Sequence, residues 1–308
     1  MSKYEVQSTK YVEGVSPRLI RYAWFVLGFN ILVIVIGALV RATGSGAGCG
    51  PSWPTCLGEL VPELEGATAV EFTHRAVSGI ALILVGVLVI WVWRATVKGS
   101  LSRTGAVLSA IAIVLEALIG AMIVVARWVA DDTSVARVIS VPLHLVNTLF
   151  LLAALTLTIF WLSGGARLDW ASPYRRWVIL GAIALVALAA TGAVTALADT
   201  LFPVSGGDFT DESHFLTGLR VVHPILGVIV IVAAWVLVMR AGVPVGRAGQ
   251  VLPYLVGGMA ITGVLNIGLK LPMAMRLSHL VIAELLWVAF VLVSAQYLSS
   301  RTREPVSR

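Results

Sequence analysis

The sequence predicts an all-α membrane protein: eight transmembrane helices as two pseudo-symmetric four-helix bundles, with both termini cytoplasmic. Three observations carry this prediction. Of 308 residues, 58% are apolar and only 12% charged, where an ordinary soluble protein carries roughly 25% charged residues. With a mean hydropathy of +0.95, a water-soluble globule of this size could not hide its apolar surface, and disorder is excluded by the same figures. The apolar residues also fall into eight runs of the length, about 20 residues, that crosses a bilayer core of ~30 Å as helix. Finally, glycine and histidine recur in matching places in the first four runs and the last four.

The runs lie near 22–40, 76–93, 104–126, 138–162, 177–198, 221–239, 248–269 and 277–298. The first follows basic residues as a signal peptide would, but it is too long for a cleaved apolar region and no small-x-small site ends it. Gly46-Ala47-Gly48-Cys49 lacks the aliphatic residue that opens a lipoprotein cleavage box, so the run reads as a retained helix. The linking segments are short, leaving no room for a soluble domain. The predicted organisation is a cytoplasmic tail at 1–21, an N-terminal bundle at 22–165, a C-terminal bundle at 166–300 and a second tail at 301–308. Spans three and eight contain Glu116 and Glu284. An unpaired charge there is costly, so both should face the bundle interior, protonated or hydrogen-bonded.

An even number of spans puts both termini on one side. The tails and even-numbered loops hold 15 of the 22 Lys and Arg against four acids, and the odd-numbered loops hold seven against ten. Cytoplasmic loops are the ones enriched in Lys and Arg, which makes that side cytoplasmic. Trp24, Trp91, Trp93, Trp161 and Trp177 stand near the inner ends of spans, as interfacial anchors do. The formal charge of +6 invites a nucleic-acid reading, but basic residues dispersed between apolar runs make no basic face.

Cys49 and Cys56 share the first external loop. That side is oxidising in a bacterium, so a disulfide is the leading reading, with free thiols or a functional redox pair as the alternatives. Gly44-Ser45-Gly46-Ala47-Gly48 follows a membrane helix rather than a strand, so it does not read as a nucleotide loop.

Four of the five histidines, His74, His144, His223 and His279, begin spans two, four, six and eight, within about two turns of the external boundary. Neutral imidazole is a good axial ligand for haem iron, and an ionisable residue inside a membrane is a functional candidate by default. A single such histidine would more often be a hydrogen-bonded packing residue; four at one depth are not. His214, in the loop before span six, has no counterpart and reads as solvated. The two halves also share Gly37-Ala38 with Gly192-Ala193, and Gly120 with Gly263. Each half keeps the same orientation, so this is a parallel repeat in which each bundle supplies one histidine pair, His74 with His144 and His223 with His279.

The differences between halves carry the chemistry. Three residues before each histidine, on the same helix face, stand Glu71, Val141, Arg220 and Arg276. The second half thus presents Arg-x-x-His twice, suited to holding anionic haem propionates. The first half places a carboxylate one turn from its ligand, a candidate acid/base or a stabiliser of developing positive charge. The plainer alternative is that Glu71 pairs with Arg75 or caps span two.

Taken together, the eight spans, the stretch Gly37-Ala38-Leu39-Val40-Arg41-Ala42-Thr43-Gly44-Ser45-Gly46, the Cys49/Cys56 loop, Glu71-x-x-His74-Arg75 and the three later histidines resemble haem A synthase, in its bacterial form with an external cysteine pair. The likeness runs from about residue 20 to residue 298. It implies oxidation of the C8 methyl of haem O to a formyl group, giving haem A for terminal oxidases. It further implies His74 and His144 as axial ligands of the substrate haem, Glu71 as the catalytic carboxylate, and His223 and His279 as iron ligands of a haem B, with Arg75, Arg220 and Arg276 as propionate contacts. Partners so implied are haem O, membrane lipid, haem O synthase, an electron acceptor and further copies of the chain, in a bacterial cell membrane. Some relatives carry a second cysteine pair in the loop between spans five and six; none stands here. With both axial positions taken by histidine, electron removal and attack by water are favoured over dioxygen binding at iron.

Two rivals use the same residues. A two-haem b-type cytochrome for electron transfer predicts two permanent haems and a dispensable Glu71, but such haems usually sit near opposite faces. A proton-coupled transporter predicts a colourless protein and helices broken at the midplane, whereas Gly and Pro here gather near span ends.

Overall fold

A computed structural model describes residues 15–202, 215–241, 246–270 and 272–299. His214, most of the loop before span six, residues 1–14 of the first tail and the whole of the second lie outside the described residues; residues 17–21, expected in the first tail, belong to the first helix. Eight long helices follow in order: α1 Pro17–Ala42, α2 Gly66–Ala95, α3 Leu101–Val125, α4 Val135–Leu162, α5 Arg175–Leu201, α6 Val222–Ala241, α7 Gly246–Gly268 and α8 Met273–Ser299. A short helical turn, Phe215–Gly218, and a 3-10 turn, Leu219–Val221, lead into α6. Seven of the eight are long and apolar enough to cross a membrane. The eighth, α6, is 20 residues long, and its apolar stretch is described over Val222–Ala233. The chain is a multi-pass membrane protein.

Helix starts follow ordinary capping chemistry. Ser16 caps α1 by accepting from the Arg18 N–H at 3.2 Å, with Pro17 in the first turn, and Ser134 caps α4 by accepting from Arg137. Each such cap contributes about 1 kcal/mol. Polar residues within the spans bond back to their own helix, as lipid surroundings require. Asn30 donates to the Val26 carbonyl at 2.8 Å, and Ser78 and Thr148 donate to the carbonyls of His74 and His144.

The principal difference from the sequence reading is at α2. Its apolar run begins near residue 76, yet the helix begins at Gly66. Helix needs only its own backbone bonds, and Glu71 and Arg75, four residues apart, neutralise each other on one face, so the charges do not stop it. Glu71 is therefore well inside α2 and caps nothing; the N-cap is Glu65. Two prolines, Pro142 and Pro253, also lie inside α4 and α7 rather than at their ends, each removing one backbone donor.

Helices α1 to α4 pack each on the next and α4 returns to α1; α5 to α8 likewise follow one another, and α8 touches α5. Helices α1, α4, α5 and α8 make the contacts between the two groups. The buried core is built mainly from Leu, Val and Ala of α1 to α4, joined by Trp287, Val288 and Val291 of α8. Trp287 Nε1 donates to the Leu149 carbonyl at 2.7 Å and ties α8 to α4, the usual requirement of a buried indole. Gly105 lets α3 and α4 approach closely, since a Cβ there would lie 2.5 Å from Thr158 Oγ1. Outward faces carry bare Ile83, Ile139, Val228 and Val264, as lipid-facing surfaces do.

Candidate functional site

Between the helix groups lies one cavity of about 1910 Å³, lined by all four span histidines and by Glu71. That is well above the 300–1,000 Å³ of a site for one small ligand. His74 and His144 come from α2 and α4, and His223 and His279 from α6 and α8.

Each histidine ring packs against a glycine of the preceding helix. A Cβ on Gly37 would stand 2.8 Å from His74 Cε1, and one on Gly192 would stand 2.9 Å from His223 Cε1. At Gly120 and Gly263 the nearest ring atoms of His144 and His279 are 3.7 and 3.6 Å away, ordinary contact. The shared glycines noted in the sequence are thus floors on which the rings lie. Gly37→Ala and Gly192→Ala should destabilise the solubilised protein by about 1–3 kcal/mol through overpacking. Gly120→Ala and Gly263→Ala should stay within about 0.5 kcal/mol; thermal unfolding in detergent would separate the two classes.

The rings of His223 and His279 have centroids 6.4 Å apart and stand at 87° to each other. Two metal–imidazole bonds of about 2 Å in line, with about 1 Å to each ring centre, give roughly 6 Å, so the spacing suits one metal ion between them. The His223 Nδ1 lies 3.1 Å from the Leu188 carbonyl and the His279 Nδ1 lies 2.8 Å from Thr262 Oγ1. Those partners leave each Nε2 as the free donor.

Glu71 is 3% exposed. Its Oε2 accepts from the Cys49 backbone N–H at 2.7 Å, and its Oε1 accepts from Arg75 at 2.5 and 3.1 Å. Arg75 in turn donates to the carbonyls of Ser52 and Thr55. Cys49 and Cys56 form a disulfide, so the carboxylate and its arginine are both held by the loop that this bond closes. The pairing with Arg75 foreseen as the plainer role of Glu71 is present, and it leaves the carboxylate on the cavity wall.

The three arginines expected at propionates differ in what they touch. Arg75 is occupied as described. Arg220 pairs with Asp199 at 2.9 Å and donates to the carbonyls of Ala198 and Phe202. Arg276 keeps a buried Nε with no hydrogen-bond partner among the described residues, and so does Nη1 of Arg41. Arg41 feels the charges of Arg276, Asp199 and Arg137, and all four line the cavity. Buried guanidinium nitrogens without partners are expensive, and anionic propionates are the kind of group that satisfies them. The donor set, the ring spacing and these orphaned cations fit haem. The sequence reading did not single out Arg41 as a site residue; its signal was an arginine immediately after the apolar run of span one.

Glu116 is likewise not a bystander. Its Oε1 is 3.2 Å from His144 Nδ1, and the carboxylate accepts from Asn147 and from Thr148. Glu284 is almost completely buried on α8 and lines the same cavity.

A family model described as cytochrome oxidase assembly protein, COX15-CtaA, matches residues 20–291. The Protoheme IX farnesyltransferase of Thermus thermophilus is 43% identical over 295 residues, covering 91% of this chain and 48% of that protein. The Heme A synthase of Geobacillus kaustophilus is 43% identical over 134 residues, 42% of this chain and 40% of that one. That of Shouchella clausii is 44% identical over 96 residues, 31% and 32% of the two chains. The chain spans about half the length of the Thermus relative it matches.

Proposed function

The chain belongs to the COX15-CtaA family of cytochrome oxidase assembly proteins, and from that membership we propose that it oxidises the C8 methyl of haem O to the formyl group of haem A. The observation that carries this reading is that two histidine pairs line one cavity, with Glu71 three residues before His74 where the second pair has Arg220 and Arg276. The organisation proposed is two four-helix bundles related by a parallel repeat, 22–165 for substrate haem and 166–300 for a haem B, with cytoplasmic tails at 1–21 and 301–308. The glycine floors at matching places in α1 and α5, and again in α3 and α7, support that repeat.

His74 and His144 hold the substrate iron and so fix the ring that bears the methyl group. Glu71, fixed from the Cys49 N–H and from Arg75, sets a negative charge on the wall of the substrate site. Removal of electrons from the methyl carbon leaves positive charge that this carboxylate stabilises, and it can take the proton of an attacking water. The balance is methyl plus two waters to the hydrated aldehyde, releasing four electrons and four protons, followed by loss of one water. A haem B held between His223 and His279, with Arg276 and Arg41 at its propionates, would supply one-electron acceptance and pass electrons to an outside acceptor.

The name of the Thermus relative describes farnesyl transfer to protohaem IX, and this chain matches about half of that protein. Farnesylated haem is the substrate class proposed here, so an enzyme of that kind, haem O synthase, is the partner we assign to substrate delivery. The location proposed is a bacterial cell membrane with the disulfide loop outside, where its bond persists.

Pigment analysis tests the reading. The chain would be made in a bacterium supplied with haem O synthase and lacking its own haem A pathway, and its haems identified by mass. Haem A or its hydroxymethyl precursor is the expected product; haem B alone would replace the reading with an electron-transfer cytochrome. Cys49→Ser, which frees the loop behind Glu71 and Arg75, should lower conversion by about 10- to 100-fold while haem B content holds. The same extraction measures both.

A further inference from the structure

The four histidines match in the repeat, but what their Nδ1 atoms touch does not. In the second half both have neutral polar partners: the Leu188 carbonyl with Thr191 for His223, and Thr262 for His279. In the first half His144 faces the Glu116 carboxylate at 3.2 Å, in ion-pair range though not aligned as a hydrogen bond. The buried Nδ1 of His74 has no hydrogen-bond partner among the described residues.

The sequence states why. Thr191 and Thr262 stand immediately before Gly192 and Gly263; Ile36 and Ile119 stand immediately before Gly37 and Gly120. Both hydroxyls are missing from the first half. Only one is replaced, by Glu116 one turn earlier on α3, where the equivalent residue of α7 is Met259. Asn147 and Thr148, on the helix of His144 itself, fix the carboxylate in place.

A carboxylate behind an imidazole orients the ring and raises its basicity, whereas a ring with nothing behind it is a weaker donor and freer to turn. Opposite each other on one iron, the strong ligand weakens the bond of the other. We propose that Glu116 is a positioning residue that makes His144 the anchoring ligand of the substrate haem, leaving His74 as the ligand that lets go when haem O is taken up and haem A released. This rests on the proposed function, and it explains how one protein keeps one haem and turns over another. The resident site has balanced, polar-backed ligands; the exchanging site has one charged and one bare.

The experiment uses the full chain purified from cells making haem O, with each haem assigned to its site by mass. His74→Gly should keep its first-half haem as a five-coordinate, high-spin species, and His144→Gly should lose it. Glu116→Met should speed loss of that haem to apomyoglobin by about 10- to 100-fold. Ile36→Thr, which offers His74 a hydroxyl, should slow it by about fivefold. Haem B should be unaffected in the last two variants. Equal loss from both glycine variants, retention in His144→Gly alone, or unchanged release in Ile36→Thr would overturn the inequality while haem A in the parent left the enzymatic reading standing. A parent with neither haem O nor haem A would end both. Should a glycine variant or Glu116→Met fail to fold, Ile36→Thr decides the matter alone.

Discussion

Glu71→Gln is expected to stop formation of haem A, lowering conversion by about 10²- to 10⁴-fold, with haem O accumulating and haem B retained. Glutamine keeps the shape of glutamate but has a single oxygen, so it accepts from the Cys49 N–H or from Arg75, whereas the carboxylate gives a separate oxygen to each. The substitution therefore removes the charge and the proton acceptor while keeping one of the two ties to the loop. If Glu71 served only to tie α2 to the disulfide loop, the variant would lose no more conversion than Cys49→Ser does. Measuring haem O, the hydroxymethyl intermediate and haem A together also locates the step: a carboxylate needed throughout leaves haem O, and one needed only for the second oxidation leaves the alcohol.

The second large effect is expected at the other histidine pair. His223→Ala or His279→Ala should reduce haem B from one per chain to near zero. Conversion should fall by more than the roughly 10- to 100-fold that follows loss of a ligand's supporting hydrogen bond alone. The rings stand 6.4 Å apart, each backed by its own polar partner, so neither can move across to serve as both ligands. Haem O bound in the first half should survive, because Glu71, His74, His144 and the disulfide loop belong to α1–α4 and their connections. Haem B content by mass, beside haem O content, checks this; retention of haem B in both variants would remove the assignment.

Much of the site was legible because membrane helices expose their chemistry in sequence. A histidine at the start of an apolar run has few inexpensive explanations, and so His74, His144, His223 and His279 stood out from the residues alone, and Glu71 from its place three residues before His74, where the second half has arginine. The helix content and the cysteine pair followed from composition and compartment. Charges marked the ends of apolar runs well but the ends of helices less well: α2 starts ten residues before its run because Glu71 and Arg75 cancel within one turn.

What distant segments do to each other was not legible. That Cys49 lends its N–H to Glu71, 22 residues on, depends on how the loop folds back over α2. That Glu116 stands behind His144, that Arg41 and Arg276 keep buried nitrogens facing one cavity, and that Gly37 and Gly192 are floors for imidazole rings are all facts between helices. The sequence by itself determined which segments are apolar enough to enter a membrane and which polar residues stand in or beside them, because burial in lipid admits so few polar groups. Only the tertiary structure decided what stands behind each of them, because helix packing, not sequence neighbourhood, sets what each Nδ1 meets.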